Sequence, residues 1–175
     1  MKIADGSINP ISPANALKIL NAHQLAGNHV DERLFKQLGA PGDLWLFDLN
    51  TREEFLSLVL QSNDACRPLA PSGKPRTLYD CASRLKQYKW SFRNLCGACY
   101  SWFDKCVAID ETFDLPRFNW IALTPLTHGE LQESPRGAYY IYYGVHKTIV
   151  LAKKLIRNEL TYTPITALLL TPRRK

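Results

Sequence analysis

A chain of 175 residues has the length of one domain able to bury a sizeable core. Its 46% hydrophobic and 22% charged residues are those of an ordinary globular protein, which argues against wholesale disorder. No run approaches the ~18 uninterrupted apolar residues of a membrane span, so no membrane insertion is expected. The formal net charge of +6 is divided into blocks: residues 1–66 carry five basic and eight acidic side chains, and residues 67–93 seven basic against Asp80 alone. Residues 94–145 carry three basic and six acidic, and the last thirty seven basic against Glu159 alone. Two basic blocks beside acidic ones suit an anionic partner, most simply nucleic acid, although solvated helix faces give the same composition. In the first block the candidate DNA contacts are Lys74, Arg76, Arg84, Lys86 and Lys89. Met1-Lys2-Ile3-Ala4-Asp5-Gly6 has no apolar region behind its lysine, so no signal peptide is read. With an odd five cysteines, the expected setting is then the reducing cytoplasm.

In chain order, residues 1–42 read as a helical preface: Ala16, Leu17, Leu20 and His23 keep helical spacing, and Gly39-Ala40-Pro41-Gly42 ends it. Residues 43–175 form the expected α/β core. Leu44 to Leu49 reads as a strand. Thr51-Arg52-Glu53-Glu54 has the threonine and glutamate of a capping box and opens a helix expected to reach Leu60. A Pro/Gly/Ser loop spans Arg67 to Pro75. Leu78 to about Val107 reads as one or two helices rich in aromatics, including Tyr79, Tyr88, Trp90 and Trp102, expected mainly in the core. An acidic turn from Asp110 to Pro116 precedes a strand, Phe118 to Leu123. A polar stretch, Thr124 to Gly137, leads to an aromatic strand, Ala138 to Tyr143. Gly144 breaks it, Lys147 to Arg157 is an amphipathic helix, and Ile165 to Leu170 is a last buried strand.

The junction Tyr143-Gly144-Val145-His146-Lys147-Thr148 carries the clearest chemistry. A strand passing through glycine directly into a helix leaves first-turn N–H groups without helical partners, at the positive end of the helix dipole. A phosphate satisfies both. Gly144 and Val145 offer close backbone approach, His146 and Lys147 add donors and charge, and the Thr148 hydroxyl is a candidate for a phosphate oxygen or a metal-bound water. The plain alternative is a strand-to-helix junction in which Thr148 only caps.

The longer run from Tyr139 through Ala152, with a loop and an apolar strand after it, resembles the core of the ParB/sulfiredoxin superfamily. The resemblance implies a small mixed sheet with flanking helices and a turn that grips nucleotide or DNA phosphates. Lys147 stands where the commonest form of that motif has arginine, which keeps the charge and loses the bidentate geometry. Val145 stands where sulfiredoxins place their catalytic cysteine, so sulfinic-acid repair is not implied. Gly73 to Tyr79, the aromatic cysteine segment, Asp114 to Trp120 and Pro135 to Tyr140 extend the likeness: over about residues 74–173 the chain resembles plasmid fertility-inhibition factors of the Osa/FiwA type. That implies a plasmid-encoded cytoplasmic protein of bacteria that blocks conjugative or type IV secretion transfer of DNA. It further implies ATP or another nucleotide as cofactor, and ATPase and DNase activity. The partners implied are DNA and secretion-system components.

Phosphodiester or phosphoanhydride hydrolysis ordinarily uses a divalent metal, and Mg2+ prefers carboxylate oxygens. Glu130 and Glu133, three residues apart just before the aromatic strand, are the first candidates for metal ligands and, with Lys147, for the catalytic set. Asp110, Glu111 and Asp114 form a second acidic cluster. Any one of these carboxylates can equally be a solvated loop residue. Cys96-Gly97-Ala98-Cys99, with Cys81 and Cys106 flanking, offers four thiols, but a single tight knuckle argues against Zn2+. Two alternatives stand beside a metal-assisted DNase/ATPase: a non-catalytic inhibitor that binds a secretion component, and a zinc-stabilised DNA-binding module.

Overall fold

The computed structural model describes residues 9–12, 14–15, 18, 42–60, 69, 76–87, 97–113, 115, 121–125 and 139–172. Its strands are β1 (Asn9–Pro10), β2 (Gly42–Leu49), β3 (Val59–Leu60), β4 (Ile121–Pro125), β5 (Tyr139–Tyr143) and β6 (Ile165–Pro172). Its helices are α1 (Arg52–Leu56), α2 (Leu78–Gln87), α3 (Gly97–Glu111) and α4 (Val145–Ile156). The strands form one mixed sheet in the order β1-β2-β6-β4-β5-β3. β2 runs antiparallel to β6 from Gly42 opposite Pro172 to Leu49 opposite Ile165. β4 is parallel to β6 and antiparallel to β5, and β3 is parallel to β5. The chain is therefore α/β.

Side chains alternate across a strand, and the core obeys that alternation. Leu49, Ile121, Leu123, Ile141, Ala167 and Leu169 meet Leu78, Ala82 and Leu85 of α2 and Ile149, Leu151, Ala152 and Leu155 of α4 in one cluster. Ala122, Tyr140 and Leu168, at the intervening positions, are buried as well, on the opposite face. β6 is central, so it reads as a continuous apolar run rather than an alternating one. The capping box is formed: Thr51 Oγ1 accepts from the Glu54 N–H at 3.1 Å, and Glu54 Oε2 accepts from the Thr51 N–H at 3.1 Å. At its other end α4 stops in a left-handed cap. Asn158 has φ 57°, its N–H donates to Leu155 O at 3.0 Å, and the Glu159 N–H donates to Lys154 O at 2.9 Å. The Arg52 guanidinium also reaches the Leu155 carbonyl, at 2.8 Å.

Several boundaries differ from the sequence reading. The helix after Thr51 ends at Leu56 instead of Leu60, because Val59 and Leu60 pair with Tyr140 and Ile141. A sheet edge roughly 80 residues away in the chain outweighs the local helical pattern. Within the helical preface, Ala14, Asn15 and Lys18 are helical, whereas Asn9 and Pro10 form a strand against Trp45 and Leu46, and Gly42 belongs to β2. Asp110 and Glu111 lie in α3, not in a turn. The last helix begins at Val145, two residues before Lys147. Tyr79 is 51% exposed rather than in the core; Tyr88, Trp90 and residues 118–120 lie outside the described residues.

Leu151 is enclosed on all sides (1% exposed), so Leu151→Ala is expected to lower the unfolding free energy by about 2–5 kcal/mol. Thr51→Ala, which removes only a cap, is expected to cost about 1 kcal/mol. Urea denaturation of the two variants beside the parent checks that order.

Candidate phosphate-binding site

β5 delivers the turn. Its register with β4 shifts between Ala122, opposite Tyr143, and Leu123, opposite Ile141, which makes Tyr142 the extra residue of a bulge. A bulge bends its strand and so re-aims the turn beyond it. Gly144 then adopts φ 86°, ψ 14°, the left-handed conformation that a Cβ disfavours. As N-cap it contributes no side chain, and none caps the helix. The N–H groups of a helix's first turn have no carbonyl partner within the helix, so this end of α4 has the polarity an anion requires.

The side chains of the turn divide by direction. Lys147 is exposed. Val145 is half-buried and packs against the core. Thr148 is fully buried, and its hydroxyl donates to the Gly144 carbonyl at 2.7 Å, the same oxygen that accepts the Thr148 N–H at 3.0 Å. Thr148 thus closes the turn from inside, and the contact with phosphate expected of it is taken up by its own backbone neighbour. His146 is half-buried; burial, and then the charge of Lys105 on α3, lower its pKa from 6.5 to about 4, so at neutral pH the ring carries no charge. Lys147 is the formal charge of the turn, and Lys105 brings a second cation from α3.

The other candidate residues are scattered. Arg76 is only 2% exposed, beside β3, where its carbonyl accepts the Leu60 N–H at 2.9 Å. An inward guanidinium is not a surface contact for DNA, which corrects that expectation. Arg84 is half-buried and donates to the Leu69 carbonyl at 2.6 Å. Lys86 lies on α2 with its side chain outside the described residues, and Lys74, Lys89, Glu130, Glu133 and Asp114 lie outside them altogether. Asp110 is engaged by Lys153 and, at 3.1 Å, by Lys154. Partial burial works to raise its pKa, but hydrogen bonds and charge from the two lysines outweigh it and hold the carboxyl below 3.8. Cys81 and Cys106 are buried thiols. Burial, then Asp110, push the Cys106 pKa up to about 12, which keeps it protonated and a poor metal ligand. Cys96 and the Cys99 side chain lie outside the described residues. Among the described residues no three His, Cys, Asp or Glu side chains gather as a metal site, and no helix is long and apolar enough to cross a membrane.

Lys105 and the Asp110 pairs escaped the sequence reading. Their partners lie about forty positions away, and nothing in local spacing signals such a contact. No protein-family model, curated protein or solved structure matches the chain.

Gly144→Ala forces a Cβ into the left-handed region and is expected to destabilise the fold by about 1–2 kcal/mol in denaturant titrations. His146 binds its proton at 6.5 when unfolded and at about 4 when folded, so the unfolded state holds more protons between those values. Stability should therefore fall as pH drops from 6.5 to 4, and continue to fall below 3.8 as the unfolded state protonates Asp110 first. Thermal melts of His146→Asn should show a shallower slope in the first window and the same slope in the second.

Proposed function

We propose that this protein binds a nucleotide and DNA through phosphate contacts at the first turn of α4. The observation that carries this reading is the uncapped helix start behind a left-handed Gly144, with Lys147 exposed beside it. In this reading the backbone at Gly144, Val145 and Lys147 approaches the phosphate oxygens, Lys147 supplies charge, neutral His146 supplies a hydrogen-bonding edge, and Thr148 holds the turn in shape. The finer reading, supported by the resemblance of the turn and its flanks, is a ParB/sulfiredoxin-like fertility-inhibition factor. It would act in the cytoplasm and block type IV secretion of DNA by hydrolysing nucleotide and cleaving DNA. Glu130 and Glu133 are the carboxylates assigned to Mg2+, which when bound would polarise a phosphate oxygen or activate water.

The inward placement of Arg76 removes one cation from the first basic block. It favours, as a second reading, a non-catalytic inhibitor whose surface binds a secretion component. The two separate in one set of assays. Lys147→Ala should weaken nucleotide binding by about 1–3 kcal/mol, the range for a charge-assisted hydrogen bond, and lower ATPase and nuclease rates together. DNA affinity should fall with salt, as counterion release requires. Replacing Glu130 or Glu133 with Gln should abolish hydrolysis and spare DNA binding. Nucleotide affinity unchanged in folded Lys147→Ala removes the first reading, and salt-insensitive or absent DNA binding favours the second.

A further inference from the structure

From Tyr139 to Val150, through β5 and the first half of α4, two residues are exposed, Tyr142 and Lys147. The others are buried or half-buried. One exposed residue carries an aromatic ring and the other a positive charge, and the left-handed Gly144 lies between them. Strand alternation alone does not produce this. Ile141 belongs to the core against α2 and α4, and Tyr140, 3% exposed, is buried on the opposite face. Tyr142 is the extra residue of the bulge, between Ile141 opposite Leu123 and Tyr143 opposite Ala122. It is thereby released from the ladder, and its ring stays 37% exposed.

Tyr79 is the other exposed large hydrophobic among the described residues. It does not belong to the same surface. Thr77 lies opposite Val59, and Val59 pairs with Tyr140. The Leu78 N–H then donates to Leu58 O at 2.7 Å, so this segment enters α2 heading away from the end of β5 that leads to the turn.

A tyrosine ring in water keeps apolar faces that a flat partner covers favourably. Every nucleobase offers such a face, whatever its identity. Tyr142 and Gly144 are two residues apart, a span of ~7 Å when extended. That is the scale of the sugar between the base and the phosphate of a nucleotide. A base over Tyr142 and a phosphate at the start of α4 can therefore belong to one molecule.

We propose that Tyr142 is the platform on which the base of a bound nucleotide stacks while its phosphates meet the first turn of α4. This rests on the phosphate reading of the turn and adds the part of the ligand that backbone N–H groups do not read. Stacking carries no hydrogen-bond code, so adenine and guanine nucleotides bind alike, and both bind better than pyrimidine nucleotides with their smaller rings. The ligand is a free nucleotide; the bases of duplex DNA are stacked on one another and closed to the ring.

Calorimetric titrations with ATP, GTP, UTP and inorganic triphosphate test this, because triphosphate reads the turn alone. GTP should bind nearly as tightly as ATP, and UTP more weakly. Tyr142→Leu should weaken ATP about fivefold to a hundredfold, the range for one stacked base, and leave triphosphate unchanged. Tyr142→Phe and Tyr79→Leu should bind ATP as the parent does. The ring protons of Tyr142, assigned by their loss in Tyr142→Phe, should move upfield when ATP binds the parent, which a residue with a merely structural role does not show. Unshifted ring protons overturn the platform even if Tyr142→Leu fails to fold. Equal weakening of ATP and triphosphate assigns Tyr142 to the shape of the turn and overturns it too. A single-stranded oligonucleotide weakened by Tyr142→Leu while ATP is not would give the ring to a DNA strand and overturn the free nucleotide. In each of these cases the phosphate turn still stands. Triphosphate that binds folded Lys147→Ala as tightly as the parent removes the turn, and the platform with it.

Discussion

Ile149, Val150, Leu151 and Ala152 are four consecutive buried residues, which for a helix of 3.6 residues per turn means burial around its whole circumference. α4 is thus a core element, pressed on the sheet, on α2 and on α3, and its position fixes the others. Its entry must come from β5 through a reversal that only a residue tolerant of positive φ accommodates, and Gly144 supplies it. Its exit is closed by Asn158 in the same left-handed region and by the Arg52 guanidinium. Because the middle of α4 is buried, its polar business is confined to the ends: the first turn, where Lys147 reaches solvent, and the last, where Lys153 and Lys154 meet Asp110.

Features encoded by near neighbours were legible in the sequence. Thr51 and Glu54 form the capping box that their spacing announces, and Gly144 separates strand from helix where the aromatic run ends. The strands Gly42–Leu49, Tyr139–Tyr143 and Ile165–Pro172 arise from apolar runs bounded by turn residues. The misread features were those whose deciding partner was remote. Val59 and Leu60 look like the end of a helix until Tyr140 and Ile141 are beside them. Arg76 reads as a surface cation, yet it is buried, with its carbonyl bonded to Leu60 of β3. Asp110 reads as a loop carboxylate, whereas two lysines 43 and 44 positions on hold it to α4.

The electrostatics of the turn are sparer than its sequence suggests. Of the string Gly-Val-His-Lys-Thr, the threonine hydroxyl is directed inward and the histidine is kept neutral by burial and by Lys105. Oriented backbone and one exposed lysine remain for an anion. Such a combination favours a group with several acceptor oxygens over a simple monovalent anion, because each N–H needs its own acceptor.

Whether backbone N–H groups at the start of α4 receive phosphate is decided by titrating the 15N-labelled protein with inorganic phosphate and then ATP while monitoring every backbone amide. The largest saturable shifts should fall on Gly144 to Lys147, with ATP saturating at lower concentration than phosphate. Saturable shifts confined to other parts of the chain, with these amides unmoved in a folded protein, would refute phosphate binding at this turn.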